Sequence, residues 1–288
     1  MAKVLLLGAG GFIGRAISAQ LQADGYEVID GRSTEFDYTR LLKPADWLPR
    51  LTGIDAVFNA VGVLRDRDKR PMEVVHEHAP IALFEACAKA GVRRVVQVSA
   101  LGIEGSDTLY ARSKRAADEH LQALRARGLL DATVVRPSIV FGSGGASSQL
   151  FMNLARLPLL VLPAAALRAL VQPVAVQDLA EAVARLIYTP GPALLSVVGP
   201  RALTLANFIA SLRQQLGKSP ARVIALPERL SRWSARIGDH VPMQPWCGET
   251  LHLLQTDNAD DATAFTALLG RTGVAPEALL KLYEHAVA

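Results

Sequence analysis

Apolar positions in the first half of the chain alternate between two periods. Val4–Leu7 is a continuous apolar run, the pattern of a strand buried on both faces. Phe12, Ile13, Ala16, Ile17 and Leu21 then recur at helical spacing. Tyr26–Ile29 and Asp55–Asn59 read as strands, Val74 to Ala90 as a helix stopped at Gly91, and Arg94–Ser99 as a strand. Ala111 to Arg127 reads as a helix with Gly128 just past its end, where glycine tolerates the left-handed cap. Ala132–Arg136 is a strand closed by Pro137. Strand and helix repeated in this way predict an α/β fold: a doubly wound, Rossmann-like parallel sheet whose ligands sit beyond the carboxyl ends of the strands.

The pattern loosens after Gly142. Ser143–Ser148 reads as a flexible break, Asp178 to Leu186 as a helix, Leu194–Val198 as a strand, and Thr204–Asn207 as the opening of a further helix. From Pro220 to Trp246 the chain is irregular and rich in Pro and Trp. The expected organisation is a Rossmann-like domain over residues 1–190 and a smaller C-terminal substrate or partner lobe over residues 191–288.

Composition narrows the classes. Half of the 288 residues are hydrophobic, which excludes a disordered chain, and two cysteines exclude a disulfide scaffold. Cys87 falls in an apolar helical pattern and reads as core, Cys247 in an irregular stretch, and neither has metal or redox spacing. Net charge is +4, and the run Arg65–Arg70 alternates in sign. A solvated loop is expected there, and no nucleic-acid partner, because a nucleic-acid patch is a stripe of one sign. The apolar stretch Leu157–Val176 is broken by Pro158, Pro163, Arg168 and Pro173, so no transmembrane segment is expected. The amino-terminal apolar run is too short for a signal-peptide core, and the cytoplasm is the expected compartment.

The first candidate site is the turn Gly8-Ala9-Gly10-Gly11-Phe12-Ile13-Gly14. Glycines let backbone approach a pyrophosphate, and the helix opening near Phe12 aims its free N–H groups and positive dipole end at the phosphates. A buried strand before the turn and an amphipathic helix after it are the context a dinucleotide site requires. The ribose-reading position falls at the end of the second strand, in Ile29-Asp30-Gly31-Arg32-Ser33. Asp30 accepting from a 2′-hydroxyl would mean NAD, and Arg32 with Ser33 holding a 2′-phosphate would mean NADP. NADP is the expected cofactor, with NAD the alternative.

The second candidate site is Tyr110-Ala111-Arg112-Ser113-Lys114. Residues four apart share a helix face, so the phenol and ammonium are neighbours. A free phenol titrates near pH 10, and a neighbouring ammonium favours the phenolate. Tyr110 is thereby suited to exchange a proton with a substrate oxygen while hydride moves at a nicotinamide, with Lys114 also bonding the nicotinamide ribose.

Together with Asn59-Ala60-Val61-Gly62, Val98-Ser99-Ala100 and Arg136-Pro137-Ser138-Ile139-Val140-Phe141-Gly142, these segments give the chain a resemblance over roughly residues 1–190. It resembles the short-chain dehydrogenase/reductase superfamily in its extended or atypical branch. The resemblance implies an NAD(P)-dependent oxidoreductase or sugar-nucleotide-epimerase-like enzyme with Tyr110, Lys114 and the strand-end Ser99 as catalytic residues. It also implies adenine contact by Asp37, a cofactor groove lined by Asn59, Ala60 and Gly62, and Pro137, Ser138 and Val140 near the nicotinamide amide. Superfamily enzymes carry a Ser or Thr donor about two positions beyond the strand-end serine. Here that position is Leu101, so Ser99, Ser106 or Thr108 must serve or the donor is absent. Gln172–Ala180 and Leu268-Leu269-Gly270 further resemble bacterial relatives of the NAD(P)H-binding accessory subunit of respiratory complex I. That resemblance implies a nucleotide held without turnover, with peripheral membrane or respiratory-complex association; a homo-oligomer is also compatible.

Three other features carry less chemistry. His76-Glu77-His78 is read as helix surface or a substrate-side loop, because residues two apart do not share a helix face. Ser147-Ser148 is loop composition with no nucleophile elbow before it. Trp233, Trp246, Phe265 and Leu251–Leu254 are read as packing of the second lobe rather than a lipid or quinone pocket. The sequence leaves the small-molecule substrate unidentified.

Overall fold

The computed structural model describes residues 2–32, 35–64, 66, 69–239, 248–254 and 256–285. Two compact units emerge: Met1–Pro137 with Leu179–Ser196, and Ser138–Asp178 with Val197–Ala288. The division therefore differs from a single cut after residue 190. Residues 138–178 cluster with the C-terminal part, and the chain returns to the first unit at Leu179.

The first unit is built on β1 (Lys3–Leu7), α1 (Phe12–Ala23), β2 (Glu27–Gly31), α2 (Pro44–Trp47), β3 (Ala56–Asn59), α3 (Ala79–Ala90), β4 (Arg94–Val98), α4 (Leu109–Ala126) and β5 (Asp131–Pro137). The pairs β1–β2, β1–β3, β3–β4 and β4–β5 are all parallel. The six-stranded sheet runs β2-β1-β3-β4-β5 with Leu194–Val197 at its far edge. Continuous apolar runs form its centre: Val4–Leu7 and Ala56–Phe58 are at most 1% exposed. The chain builds outward from β1 to β2, then reverses to β3, so β1 and β3 flank the switch point at which such sheets bind ligands.

The predicted punctuation is present. Gly91 and Gly128 take φ of 71° each, ending α3 and the turn after α4. Thr108 caps α4, its side chain accepting from Ala111 N. The start of the third helix departs from prediction. Val74–His78 is a π-helical turn leading into α3, with one extra residue in the turn, a feature found often at functional sites.

The second unit holds β6 (Val140–Phe141), α5 (Ala146–Arg156), β7 (Leu159–Pro163), β8 (Leu170–Val171) and β9 (Val174–Ala175). α6 (Val176–Arg185) and β10 (Leu194–Val197) cross between the units. β11 (Leu203–Thr204), α7 (Leu205–Gln215), β12 (Arg222–Leu226), α8 (Glu228–Asp239), α9 (Gly248–Leu253), α10 (Thr263–Leu269) and α11 (Leu279–His285) complete it. Two readings are corrected. The break at 143–148 gives way to α5 from Ala146, with Ser148 Oγ accepting from Gly142 N at 3.1 Å. The irregular stretch after Pro220 contains β12 and α8; arginines placed between its apolar residues hide the helical period.

Phe265 and Leu251 are packed as expected, but Trp233 is 63% exposed. Trp246 and Cys247 lie outside the described residues, as do Ser33, Arg65, Arg67 and Asp68. Cys87 is buried. The segment 172–180 is scaffold in the second unit as far as Asp178. Gln172 donates to Gly199 O at 2.6 Å, and Asp178 accepts from Arg271 and Val274 N, each at 2.7 Å. Among the described residues, no helix is long and apolar enough to cross a membrane.

Candidate active site

The glycine turn follows β1 directly. Gly8 has φ +81°, and a methyl placed on it would lie 2.8 Å from the carbonyl carbon of Ala60. The turn after β1 and the loop after β3 are therefore in backbone contact at the switch point, closer than any side chain allows. A methyl on Gly14 would lie 2.0 Å from Gly8 O, so α1 sits hard against the turn. Gly10, by contrast, has nothing within 4 Å of the same position. The amino end of α1 has no side-chain cap and no acidic residue in its first turn, which leaves its N–H groups and positive dipole for an anion. These features fit a pyrophosphate over Gly10–Phe12, with Ile13 continuing the first turn. Arg15 fastens the turn from behind, donating to Gly10 O at 2.7 Å.

At the ribose end, Gly31 is buried opposite Leu7 in the β1–β2 register. Arg32 is not a lone loop charge: its Nε pairs with the Asp30 carboxylate, both side chains being exposed. Exposed pairs of this kind contribute about 1 kcal/mol or less, so the pair opens at little cost. Asp37 is held in a turn, accepting from Thr39 N at 3.0 Å and Thr39 Oγ1 at 2.8 Å. Those bonds lower its carboxyl pKa below the usual range.

Asn59, expected to line the groove, turns inward instead. It is fully buried, donates to Gln97 Oε1 at 2.7 Å, and accepts from Tyr38 OH at 2.7 Å and Val61 N at 3.1 Å. Its side chain shapes the loop that presents Ala60 and Gly62. Gly62 is where this loop meets the second candidate cluster. A methyl there would lie 3.5 Å from Lys114 Nζ and 3.7 Å from His76 Nε2.

Lys114 is 3% exposed and donates to Val98 O at 3.2 Å. Burial pushes its pKa down to about 8, partly opposed by Asp118. Tyr110, one turn earlier on α4, is half-buried with its ring edge-to-face against His76, centroids 5.4 Å apart. Ser99 is directed elsewhere. Its hydroxyl donates to Asp118 Oδ2 at 2.7 Å, and Asp118 also binds Arg136 at 2.9 Å. Burial raises the Asp118 pKa, against the hydrogen bond from Ser99 and the charges of Arg136 and Lys114. The Ser99 hydroxyl, expected to act as a substrate donor, is here engaged in this buried network. Leu101 N donates to Pro137 O at 3.0 Å, which ties the β4 exit to the end of β5. Pro137 closes the first unit, while Ser138 and Val140 belong to the second. There Ser138 Oγ bonds Asn258, and Val140 pairs with Val174.

His76, weighed above only as helix surface or a substrate-side loop, and Asp118, which no motif marks, both belong to this cluster. The surface reading of His76 is corrected: it is 1% exposed. Val63 N donates to its Nε2 at 2.9 Å, so the ring proton is on Nδ1, which faces Ser113 Oγ at 3.2 Å. Ser113 Oγ in turn donates to the Tyr110 carbonyl at 3.1 Å. Burial and the Lys114 charge push the His76 pKa down to about 2, so the ring is neutral throughout the physiological range. It thus fastens the loop after β3 to the helix that carries Tyr110. His76→Leu, which leaves Val63 N–H without an acceptor, is expected to cost about 2 kcal/mol in urea denaturation.

Among the described residues, no cluster of His, Cys, Asp or Glu suits a metal ion. A cavity of about 400 Å³ lies wholly in the second unit, between Ala164–Ala169 and the start of α8. It shares no residue with the Tyr110 cluster.

Residues 4–193 match the model of the NAD dependent epimerase/dehydratase family. A relative described as a ceramide reductase, from Caulobacter vibrioides, is 27% identical over 277 residues, covering 88% of this chain and 84% of its own. MoeE5 in complex with UDP-glucuronic acid and NAD has the same fold, with a TM-score of 0.69 at 21% identity over 99% of each chain. So has RMD from Pseudomonas aeruginosa complexed with NADPH, with a TM-score of 0.69 at 16% identity over 99% of this chain and 100% of the other. With the match across two thirds of its length, the chain belongs to the NAD dependent epimerase/dehydratase family.

Proposed function

We propose that the chain is an NADPH-dependent oxidoreductase that interconverts a carbonyl and its alcohol, with Tyr110 exchanging the proton. The observation that carries this reading is the approach of Gly8 to the Ala60 backbone, together with the nearness of Gly62 to Lys114, whose Nζ would lie 3.5 Å from a methyl on that glycine. It brings the glycine turn and the helix that carries Tyr110 and Lys114 to the same loop. When bound, a reduced nicotinamide would supply the hydride, with its electron pair, that the carbonyl carbon takes up. Tyr110 gives its phenolic proton to the carbonyl oxygen, so the C=O bond becomes CH–OH, and solvent returns the proton to Tyr110. The Lys114 ammonium stabilises the phenolate between those events. Gly8, Gly10, Gly11 and Gly14 would hold the pyrophosphate and Lys114 the ribose. Arg32, released from Asp30, would hold a 2′-phosphate.

The C. vibrioides likeness, which spans most of both chains, favours a long-chain, lipid-like carbonyl substrate over a sugar nucleotide. Purified protein with NADPH and a panel of long-chain ketones and keto-sugar nucleotides tests the reading. Oxidation of NADPH by the ketones alone supports it; oxidation by the keto-sugar nucleotides alone overturns the substrate class. Arg32→Ala is expected to weaken NADPH binding about tenfold by calorimetry and to leave NADH binding unchanged.

A second reading has one observation of its own. Ser99 is engaged by Asp118, and Leu101 occupies the expected donor position. A missing oxyanion-side donor typically costs about 10²–10³ in rate, which favours a protein that holds NADPH without turnover, as the complex I accessory resemblance implies. Tightly held NADPH that no carbonyl in the panel oxidises would establish that reading instead.

A further inference from the structure

Helix α8 carries three stripes at helical spacing. Ser231, Ala235 and Gly238 are buried and seat the helix on its unit. Ser231 Oγ lies 3.2 Å from both Leu226 O and Pro227 O. Leu230, Trp233 and Ile237 are 51%, 63% and 47% exposed. Arg229, Arg232 and Arg236, each one residue earlier, are exposed as well. At 3.6 residues per turn, the apolar and basic stripes run side by side about 100° apart on the outward surface.

Single exposed leucines are ordinary on protein surfaces. A Leu–Trp–Ile stripe flanked by an arginine stripe is not, because exposing it to water has a free-energy cost that only a partner removes. On the β7–β12 strand pair that precedes α8, Leu159, Val161 and Ile224 are also exposed, and Val161 faces Ile224 in register. The only acidic side chains on α8 are at its ends. Glu228 pairs with Arg232 at 3.6 Å, and Asp239 accepts from Gly248 N at 2.8 Å.

We propose that α8 is a membrane-surface element, and that its partner is a lipid bilayer with anionic headgroups. Trp233, Leu230 and Ile237 would enter the boundary between headgroups and acyl chains, where tryptophan is favoured. The three arginines would engage the anionic headgroups, which attract basic side chains over about one Debye length. The complementarity is of charge and polarity together: an apolar edge with a basic edge matches an anionic interface. This reading goes beyond the nucleotide chemistry and stands apart from it, since no residue of α8 belongs to the Tyr110 cluster.

The test uses the full chain and vesicles of phosphatidylcholine with or without phosphatidylglycerol, read by co-sedimentation. The chain is expected to bind the anionic vesicles, to bind the neutral ones about 100-fold more weakly, and to be released by salt. Leu230→Ser/Trp233→Ser/Ile237→Ser should lose binding to both. Arg229→Gln/Arg232→Gln/Arg236→Gln should lose the preference for anionic vesicles. Thermal melting and NADPH calorimetry on the same variants check that the fold and the nucleotide site are intact. NADPH binding lost in all proteins would fail the proposed function and leave this inference standing. No binding of the wild type to anionic vesicles, or equal binding by the variants, overturns it. So does a concentration-dependent dimer in light scattering that the apolar variant abolishes while vesicles stay unbound, because the face would then cover a second copy.

Discussion

Tyr110→Phe is expected to lower kcat/KM for NADPH-dependent carbonyl reduction by about 10²–10⁴-fold, with NADPH affinity unchanged. The substitution removes only the hydroxyl and keeps the ring that packs edge-to-face on His76, so a drop in turnover reports lost proton transfer. The pH profile supplies a second readout through Lys114. Its pKa is pushed down from 10.5 to about 8 by burial, so the wild-type kcat/KM should fall as pH rises through about 8 and the ammonium is lost. The same shift has a consequence for stability. The unfolded chain takes up this proton first as pH falls below 10.5, so stability declines from there to about 8 and is level below. At 1.36 kcal/mol per unit this amounts to about 3 kcal/mol at neutral pH. Lys114→Met should therefore be inactive yet no less stable than wild type at pH 7 in urea denaturation. A Tyr110→Phe enzyme with wild-type kcat/KM would remove the phenol from the reaction.

Gly14→Ala is expected to lower NADPH affinity by at least about 100-fold and to destabilise the fold by about 3 kcal/mol. The added methyl would lie 2.0 Å from Gly8 O, 2.7 Å from Gly8 C and 2.9 Å from Ala9 Cα. All three are backbone atoms, so no rotamer change relieves the contact, and either α1 or the glycine turn must move. Gly10→Ala is the control, since nothing lies within 4 Å of its methyl. It should melt like wild type and still bind NADPH more weakly, because the open space over Gly10 is where the phosphates would sit. Calorimetry and thermal melting on both variants separate loss of fold from loss of site. Wild-type NADPH affinity in Gly14→Ala would remove the turn from cofactor binding.

What could be read along the chain was what local spacing encodes. The run Val4–Leu7, the glycines that follow it and the apolar period from Phe12 to Leu21 specify a strand, a turn and a helix without reference to distant residues. Tyr110 and Lys114 share a face of α4 because they are four residues apart. The positions of Gly91 and Gly128 mark helix ends because few other residues accept their backbone angles. Partners across larger separations were decided only in three dimensions. Val63 and His76 are 13 residues apart, Ser99 and Asp118 are 19, and Asn59 and Gln97 are 38. For each, burial removes water as the competing partner, so the nearest polar group in space determines the role of the side chain. That turned Asn59 and Ser99 inward and brought His76 to the Tyr110 ring. The same holds for α8. Its helical period is present in the sequence, but only tertiary packing decides that the small residues face the protein and that Leu230, Trp233 and Ile237 face outward.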